Sequence, residues 1–430
     1  INGPGVLRGS ISVPGDKSIS HRAVMFAALA GGESCIQNCS LGQDNLSTVE
    51  AFQSLGVNIV RQDTTMVVTG RRWEGLQVPT KAIQCGNSGT TMRLLSGILA
   101  GCPFTSRLDG DASLRRRPMG RVTDPLRLMG ASIESEGKEH CAPLRITGQS
   151  GALKAISYQS PVASAQVKSA ILLAGLYAQN RTIITEDVPT RDHTERMLEG
   201  FGYPVDRHTS HTVLQPGGAL HAADLTIPGD FSSAAFFLVA ATVVPGSRIE
   251  LHGVGMNPTR TGLLEILKSM GAKIEINNSR TTAGEPIADL IVESSNLRGV
   301  AVPPALVSRT IDEFPALSIA AAHANGLTRI SGAQELRFKE SDRIATVVAG
   351  LRSVGIKVSE QPDGMVIAGG VIQEGTVDSR KDHRVAMAFA VAGATGVVRI
   401  LNCANVVTSF PDFAKCSQRV GVKLQEEKTG

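Results

Sequence analysis

Leu55-Gly56-Val57-Asn58-Ile59 is the first copy of an element that decides how this chain folds. A bulky apolar residue, a glycine, a small or apolar residue, any residue and an apolar one recur as Met129-Gly130-Ala131-Ser132-Ile133 and Phe201-Gly202-Tyr203-Pro204-Val205. The pattern returns as Met270-Gly271-Ala272-Lys273-Ile274, Val354-Gly355-Ile356-Lys357-Val358 and Val420-Gly421-Val422-Lys423-Leu424. Successive glycines stand 74, 72, 69, 84 and 66 residues apart, so six units fill the 430-residue chain. Glycine after an amphipathic run is a helix C′ position, where positive φ costs it little. The alternating residues that follow read as a strand. Ahead of each copy lies a second helical pattern, apolar on nearly every side: residues 18–30, 88–100, 164–178, 232–244, 313–324 and 383–394. Such helices are expected to be buried and ringed by sheet. Each unit thus reads as strand, buried helix, strand, surface helix, strand, strand.

Composition bounds the rest. A chain of this length exceeds one compact core and implies two or more domains. Lys and Arg total 43 against 39 Asp and Glu, a net +4 that marks no general polyanion-binding surface. With 42% hydrophobic and 19% charged residues the chain is globular and not disordered. Aromatic residues make up only 4%, against 45 glycines, which argues against a stacking groove for single-stranded nucleic acid. The core must come from Ala, Val, Leu and Ile. Seven scattered cysteines without a CxxC predict no disulfide framework and a reducing, cytoplasmic setting. Cys35 and Cys39 lack a histidine at a familiar ligand spacing, so no metal site is expected. The chain opens on Ile1 without a charged and apolar leader, and the longest apolar stretch, 234–244, is too short to cross a bilayer.

Polar residues gather where the buried helices begin: Asp16-Lys17-Ser18, Gly86-Asn87-Ser88-Gly89-Thr90, Ser164-Ala165-Gln166, Gly229-Asp230-Phe231-Ser232-Ser233, Asp312-Glu313 and Lys381-Asp382-His383-Arg384. Capping explains Asp, Ser and Asn there. It does not explain Lys17, Arg22, Arg93 and Arg384 in or near first turns, where the helix dipole disfavours cations. A bound anion resolves the conflict, since helix N-termini and cations favour the same ligand. Standard nucleotide and nucleophile signatures are missing: no P-loop, no strand-linked GxGxxG and no Gly-x-Ser-x-Gly.

Two basic clusters stand out. Arg115-Arg116-Arg117-Pro118 reads as a solvated loop from which at least one planar guanidinium turns inward. Lys339-Glu340-Ser341-Asp342-Arg343, taken as one exposed helical face, makes a mildly unfavourable like-charge pair of Lys339 and Arg343. That pairing makes sense when both hold an anion, and Asp312 and Glu340 then become carboxylates available for acid/base work.

Five motifs in this order resemble the 5-enolpyruvylshikimate-3-phosphate synthase family: Gly15-Asp16-Lys17-Ser18-Ile19-Ser20-His21-Arg22, Gly86-Asn87-Ser88-Gly89-Thr90-Thr91-Met92-Arg93, Lys339-Glu340-Ser341-Asp342-Arg343, Asp382-His383-Arg384 and Ser409-Phe410-Pro411-Asp412. The resemblance spans the chain. It implies an α/β (α+β) fold of two similar domains, each of three βαβαββ units, with buried parallel helices whose N-termini face the interdomain cleft. Crossings near Pro14 and Pro228 would put residues 1–13 and 228–430 in one discontinuous domain and 14–227 in the other. It further implies transfer of the enolpyruvyl group of phosphoenolpyruvate to the 5-hydroxyl of shikimate-3-phosphate. Phosphate leaves after addition and elimination through a tetrahedral intermediate, without metal or organic cofactor. Both substrates are anions, so several cations must offset their repulsion.

By resemblance, Lys17 touches both substrates, and Ser18, Arg22, Ser164, Ala165, Gln166 and Arg191 hold shikimate-3-phosphate, together with Asp312 and Lys339. Asn87, Gly89, Thr90, Arg117 and Gln166 line the phosphoenolpyruvate end, where Arg343 and Arg384 clamp its carboxylate. Asp312 is the candidate base on the 5-hydroxyl, Glu340 the acid/base at the methylene carbon, and Lys339 a proton shuttle or anion ligand. Arg93 and His383 read as packing or supporting groups. Two departures fit a divergent bacterial subgroup: Thr408-Ser409 where many relatives carry a lysine, and Glu335-Leu336-Arg337 ahead of Lys339. They shift the burden of the leaving phosphate onto Lys17 and Arg117. Gly89, where some of that subgroup have alanine, predicts sensitivity to glyphosate. A monomer that closes on its substrates is expected. The rival acceptor is UDP-N-acetylglucosamine, but the region of Arg115-Arg116-Arg117-Pro118 lacks the reactive cysteine typical of that sister enzyme. A non-catalytic anion- or RNA-end-binding protein would need aromatics and an extended basic face, and neither is evident.

Overall fold

The computed structural model describes residues 5–425. The terminal residues of the expected first domain, 1–4 and 426–430, lie outside the described residues. The chain forms two compact units. One comprises Ile1–Pro14, Pro228–Thr281 and Pro286–Gly430; the other comprises Gly15–Ile227 with Thr282–Glu285. Each has its own apolar core.

The unit built on Gly15–Ile227 holds three buried helices, Lys17–Leu29, Gly89–Gly101 and Ala165–Gly175. Three four-stranded sheets surround them. Its first sheet borrows a strand from far along the chain: Leu225–Thr226 pairs in parallel with Gly31–Gln37, Leu225 opposite Ile36. The other unit does the reverse. Arg8–Ser12 pairs in parallel with Arg248–Gly255, Arg8 opposite Arg248, and packs over the buried helix Phe231–Val243. The lead strands of the first and fourth repeats are thus exchanged in sequence, which is why the chain passes from one unit to the other at residues 14–15 and 227–228.

The repeat reading matches the backbone closely. All six repeat glycines have positive φ, from 78° at Gly202 to 99° at Gly271 and Gly421. Surface helices precede them at Gln43–Ser54, Gly120–Leu128, His193–Gly200, Gly262–Ser269, Arg343–Ser353 and Phe413–Arg419. The buried helices start within two residues of the expected positions. Departures lie late in the chain. The fifth repeat inserts the short helix Pro304–Thr310, which accounts for its longer spacing. After Gly421 no strand follows among the described residues; the segment is held by Val420, whose carbonyl accepts the Arg8 N–H at 3.1 Å. Residues 282–285, expected with the discontinuous domain, group with the Gly15–Ile227 unit, where Glu285 is buried against His193.

Small residues let the helices approach. A Cβ on Gly97 would lie 2.2 Å from the Ala170 carbonyl oxygen, so the second and third buried helices touch backbone to side. Alanine raises helix propensity by about 1 kcal/mol, but here it forces the pair apart. Gly97→Ala is expected to lose about 1–3 kcal/mol of stability through overpacking, read from urea unfolding. An unchanged or higher midpoint would show that the two helices part without cost.

Candidate active site

The N-terminal ends of the buried helices carry most of the residues singled out above, in two separate groups. In the Gly15–Ile227 unit, Asp16 caps the first buried helix by accepting the Ile19 N–H at 2.9 Å. Lys17, the first helical residue, pairs with Asp44 of the neighbouring surface helix. Arg22, one turn on, is 3% exposed. Its Nε donates to Thr194 Oγ1 at 2.7 Å, one terminal nitrogen to Ser169 Oγ at 2.7 Å and the other to the Ser18 carbonyl at 2.9 Å. Burial pushes the Arg22 pKa down to about 10, against the pull of Glu195 and Asp16; the nearby Arg191 lowers it further. Arg22 therefore supplies charge and order, while its hydrogen bonds go largely to protein acceptors. Arg191 is half-buried at the entry to helix His193–Gly200.

The second and third buried helices are tied through one chain of hydrogen bonds. Arg93 donates to Gln166 Oε1 at 2.7 Å and to the Pro118 carbonyl at 3.4 Å, and Gln166 donates to Thr90 Oγ1 at 3.1 Å. Arg93 thus fixes the amide of Gln166. Asn87 bridges Asp111, at 2.7 Å, and Arg117. Arg115 is held on the surface by both Asp109 oxygens, at 2.8 and 2.6 Å, and Arg116 is exposed. Arg117, half-buried, is the arginine of that run that reaches the group. Gly89 lies tight beneath it: a Cβ there would meet Arg93 Nη1 at 2.7 Å and Arg117 Nη1 at 3.4 Å. Ser164 and Ala165 are half-buried at the start of the third helix, where the Ser164 side chain makes no capping bond.

In the other unit one guanidinium organises everything. Arg343 is 1% exposed. Its Nε donates to Asp382 Oδ2 at 2.8 Å, Nη1 to Asp312 Oδ1 at 3.3 Å and Nη2 to Glu340. Burial opposes the charge, but Asp382, Glu340 and Asp312 together hold the Arg343 pKa well above that of an ordinary arginine. Asp382 also caps the sixth buried helix, accepting the Arg384 N–H at 3.0 Å. Arg384 turns back to Asp312, 3.3 Å from its carbonyl and 3.7 Å from its carboxylate. Burial lowers the Lys339 pKa although Asp312 and Glu335 oppose the shift. Asp312, Lys339, Glu340, Arg343 and Arg384 thus share one neighbourhood. The segment is not a single helical face: a turn over Gln334–Phe338 precedes Lys339, and the helix begins at Arg343 behind its cap, Asp342. His383 is 4% exposed and lies 3.5 Å from Thr408 Oγ1.

Several partners carried no readable signal. Asp44 sits on the next helix of the repeat that carries Lys17, and Ser169 and Thr194 sit on the third repeat. Arg260 is 3% exposed and reaches Ser232 at 2.7 Å, Asp230 at 3.5 Å and Glu313 at 3.7 Å, so the protein's own side chains fill the start of the fourth buried helix. His193 Nδ1 lies 2.7 Å from Glu285, and Arg196 joins Asp192 at 2.9 Å and Glu285 at 3.8 Å. The dipole argument for a bound anion is therefore met in part from within, by Asp44 at Lys17 and Asp312 at Arg384.

His21, between Lys17 and Arg22, is fully buried with Nδ1 2.6 Å from Thr48 Oγ1. Burial first, then Lys17, pushes its pKa down to about 3 from 6.5. The unfolded chain therefore takes up a proton near pH 6.5 that the folded chain refuses until about pH 3. Stability from this group is expected to fall across that window by about 1.4 kcal/mol per pH unit. Urea midpoints measured against pH should fall less steeply in His21→Asn than in the unaltered chain. Parallel slopes would place the acid sensitivity elsewhere.

Comparison with known proteins gives the family. The family model described as EPSP synthase (3-phosphoshikimate 1-carboxyvinyltransferase) matches residues 1–416. A 3-phosphoshikimate 1-carboxyvinyltransferase of Acidithiobacillus ferrooxidans (strain ATCC 53993 / BNL-5-31) is 54% identical over 422 residues, 97% of this chain and 96% of that one. A solved EPSP synthase from Acinetobacter baumannii superposes with a TM-score of 0.88 at 46% identity, covering 97% of both chains. The enolpyruvyl transferase NikO from Streptomyces tendae shares the fold, with a TM-score of 0.76 at 16% identity over 98% of this chain and 97% of that one.

Proposed function

Since the chain belongs to the EPSP synthase family, we propose that the residues gathered above carry out the reaction of that family here. The enzyme is a transferase that moves the enolpyruvyl group of phosphoenolpyruvate to shikimate-3-phosphate. The observation that carries the assignment of roles is the Arg343 cluster, which brings three carboxylates and three cations together.

Asp312 takes the proton of the 5-hydroxyl as that oxygen attacks C2 of phosphoenolpyruvate. Glu340 delivers a proton to the methylene carbon, which becomes a methyl group. In the tetrahedral intermediate the phosphate departs from C2, Glu340 withdraws a methyl proton, and the carbon–carbon double bond returns. The hydroxyl proton passes from Asp312 through Lys339 to the leaving phosphate. A Lys339 ammonium whose pKa is lowered by burial gives up and regains a proton more readily than an exposed lysine. Lys17 and Arg117 stabilise the leaving phosphate beside Asn87, Gly89 and Thr90. Ser18, Ser164, Ala165, Gln166 and Arg191 position shikimate-3-phosphate, with the charge of Arg22 behind them. Arg384 and Arg343 receive the carboxylate of phosphoenolpyruvate. Since Arg343 already holds Glu340, that carboxylate has to displace a resident one, and the released Glu340 takes up from water the proton that it passes to the methylene carbon. No metal or organic cofactor has a role in these steps. The functional form is proposed to be a cytoplasmic monomer that engages neither nucleic acid nor membrane; no described helix is long and apolar enough to cross a membrane.

Phosphate release tests the acceptor. Phosphate should appear from phosphoenolpyruvate with shikimate-3-phosphate and not with UDP-N-acetylglucosamine; the reverse outcome, or none, would reject the reading. Asp312→Asn and Glu340→Gln should each lower kcat by about 100-fold or more, the range of acid/base catalysis, with shikimate-3-phosphate binding nearly intact. Loss of the folded state in either variant would assign the carboxylate a structural role instead.

Gly89 bears on inhibition. A methyl group there would press on the guanidinium groups of Arg93 and Arg117 and shorten the space at the phosphoenolpyruvate end. Glyphosate is expected to inhibit this enzyme in competition with phosphoenolpyruvate, and Gly89→Ala to relieve that inhibition. Full activity of the unaltered enzyme in glyphosate far above the phosphoenolpyruvate concentration would sink the idea.

A further inference from the structure

Trp and Tyr number four in the whole chain, and three of them, Trp73, Tyr177 and Tyr203, line a single cavity of about 120 Å³ with Leu29, Leu176 and Leu220. The steps proposed above use none of these residues. The rings are held by close packing. Trp73 and Tyr177 meet edge to face with centroids 5.2 Å apart. Each ring also rests on a glycine: a Cβ on Gly101 would lie 2.1 Å from Tyr177, one on Gly151 2.8 Å from Trp73, and one on Gly218 2.8 Å from Tyr203. Neither the rings nor the backbone beneath them can shift easily.

Two polar features of the site are unspent. Tyr177 is 5% exposed, and its buried hydroxyl has no hydrogen-bond partner, unlike Tyr203, whose hydroxyl donates to the Gln215 carbonyl at 3.1 Å. A buried hydroxyl without a partner is costly, and a ligand can relieve that cost. Arg72 and Glu74, which also line the cavity, flank Trp73 in sequence, are exposed, and form no ion pair among the described residues. Arg72 has the left-handed φ of 54°, and its guanidinium packs over Gly31, where a Cβ would lie 2.9 Å from Nε. Its position is thus set by the backbone beneath it.

We propose that this cavity binds a free aromatic α-amino acid. The ring lies among Trp73, Tyr177 and Tyr203, the carboxylate meets Arg72 and the ammonium meets Glu74. A cavity of about 150 Å³ holds benzene; at about 120 Å³ this one has room for one six-membered ring at most and none for an indole. Phenylalanine and tyrosine should therefore bind better than tryptophan. An aromatic lining orients the ring, and a cation and an anion at the same opening select a zwitterion over a simple acid or amine.

Trp73 is the only tryptophan, so its emission reports the cavity directly. L-Phenylalanine added to the full chain, with excitation where only tryptophan absorbs, should give a saturable change in emission and a matching heat in calorimetry. 3-Phenylpropionate and phenethylamine, which each lack one charge, should bind about tenfold more weakly, as expected for loss of one charge-assisted hydrogen bond. Arg72→Gln alters an exposed side chain, so the fold should persist; it should bind phenylalanine and phenethylamine alike. No saturable response to millimolar phenylalanine would overturn the proposal. So would toluene binding as tightly as the amino acid, or Arg72→Gln retaining the preference for the carboxylate.

Discussion

A guanidinium that is 1% exposed and shared among three carboxylates is the interaction on which the helix starts around Asp312 and Asp382 depend. Arg343 cannot be removed without leaving Asp382, Asp312 and Glu340 as neighbouring anions, and a buried charge without its partner is strongly destabilising. The same residue sets geometry as well as charge. Asp382 caps the sixth buried helix and presents Arg384 in its first turn, Asp312 stands before the fifth, and Glu340 ends the loop that leads into the Arg343 helix. Three segments distant in sequence are registered against one planar fork. Its donors have fixed directions, which a lysine would not reproduce.

The Gly15–Ile227 unit solves the same problem with neutral partners. Arg22 is surrounded by hydroxyls from Ser169 and Thr194, and Arg93 by the amide of Gln166 and a carbonyl. Hydroxyls and amides order a guanidinium without cancelling its charge, whereas Lys17 of the same unit is paired with Asp44. Carboxylates concentrate where protons must move, around Arg343. The division follows from chemistry: phosphate binding needs uncancelled cations, whereas proton transfer needs carboxylates held close to them.

How far sequence reading reached depended on whether a feature is local. The helix-ending glycines are local, because positive φ excludes most other residues, and all six were legible. The buried helices were legible too, since a mostly apolar 13-residue stretch such as Phe231–Val243, buried throughout, has no solvent-facing side to confuse its period. Lys17, Arg117 and the Lys339–Arg343 segment could be picked out as chemically unusual. What lay beyond reach were partnerships between elements: Asp44 with Lys17 within one repeat, Asp382 with Arg343 and Thr194 with Arg22 across repeats. Hydrophobic patterning says which side is buried but nothing about which polar group faces another 172 positions away. Exchange of the Arg8–Ser12 and Leu225–Thr226 strands was also hidden, because a strand's sequence does not name its neighbour. The fifth repeat departed from the pattern through an inserted helix, which the spacing of 84 residues hinted at without explaining.

A net charge of +4 says little about how the individual cations are held. Lys17 is paired with Asp44, Arg384 with Asp312 and Arg343 with three acids, so the cations that matter come with counter-charges of their own. On the roles proposed above, an anionic substrate that meets Arg343 exchanges one carboxylate for another and need not charge a neutral pocket. Exchange costs far less reorganisation than assembly, because the guanidinium groups are already desolvated and oriented. The same exchange frees an acid from its ion pair at the moment an anion arrives. Binding and the supply of a proton donor are then one event, set by how many acceptors a single buried arginine can hold.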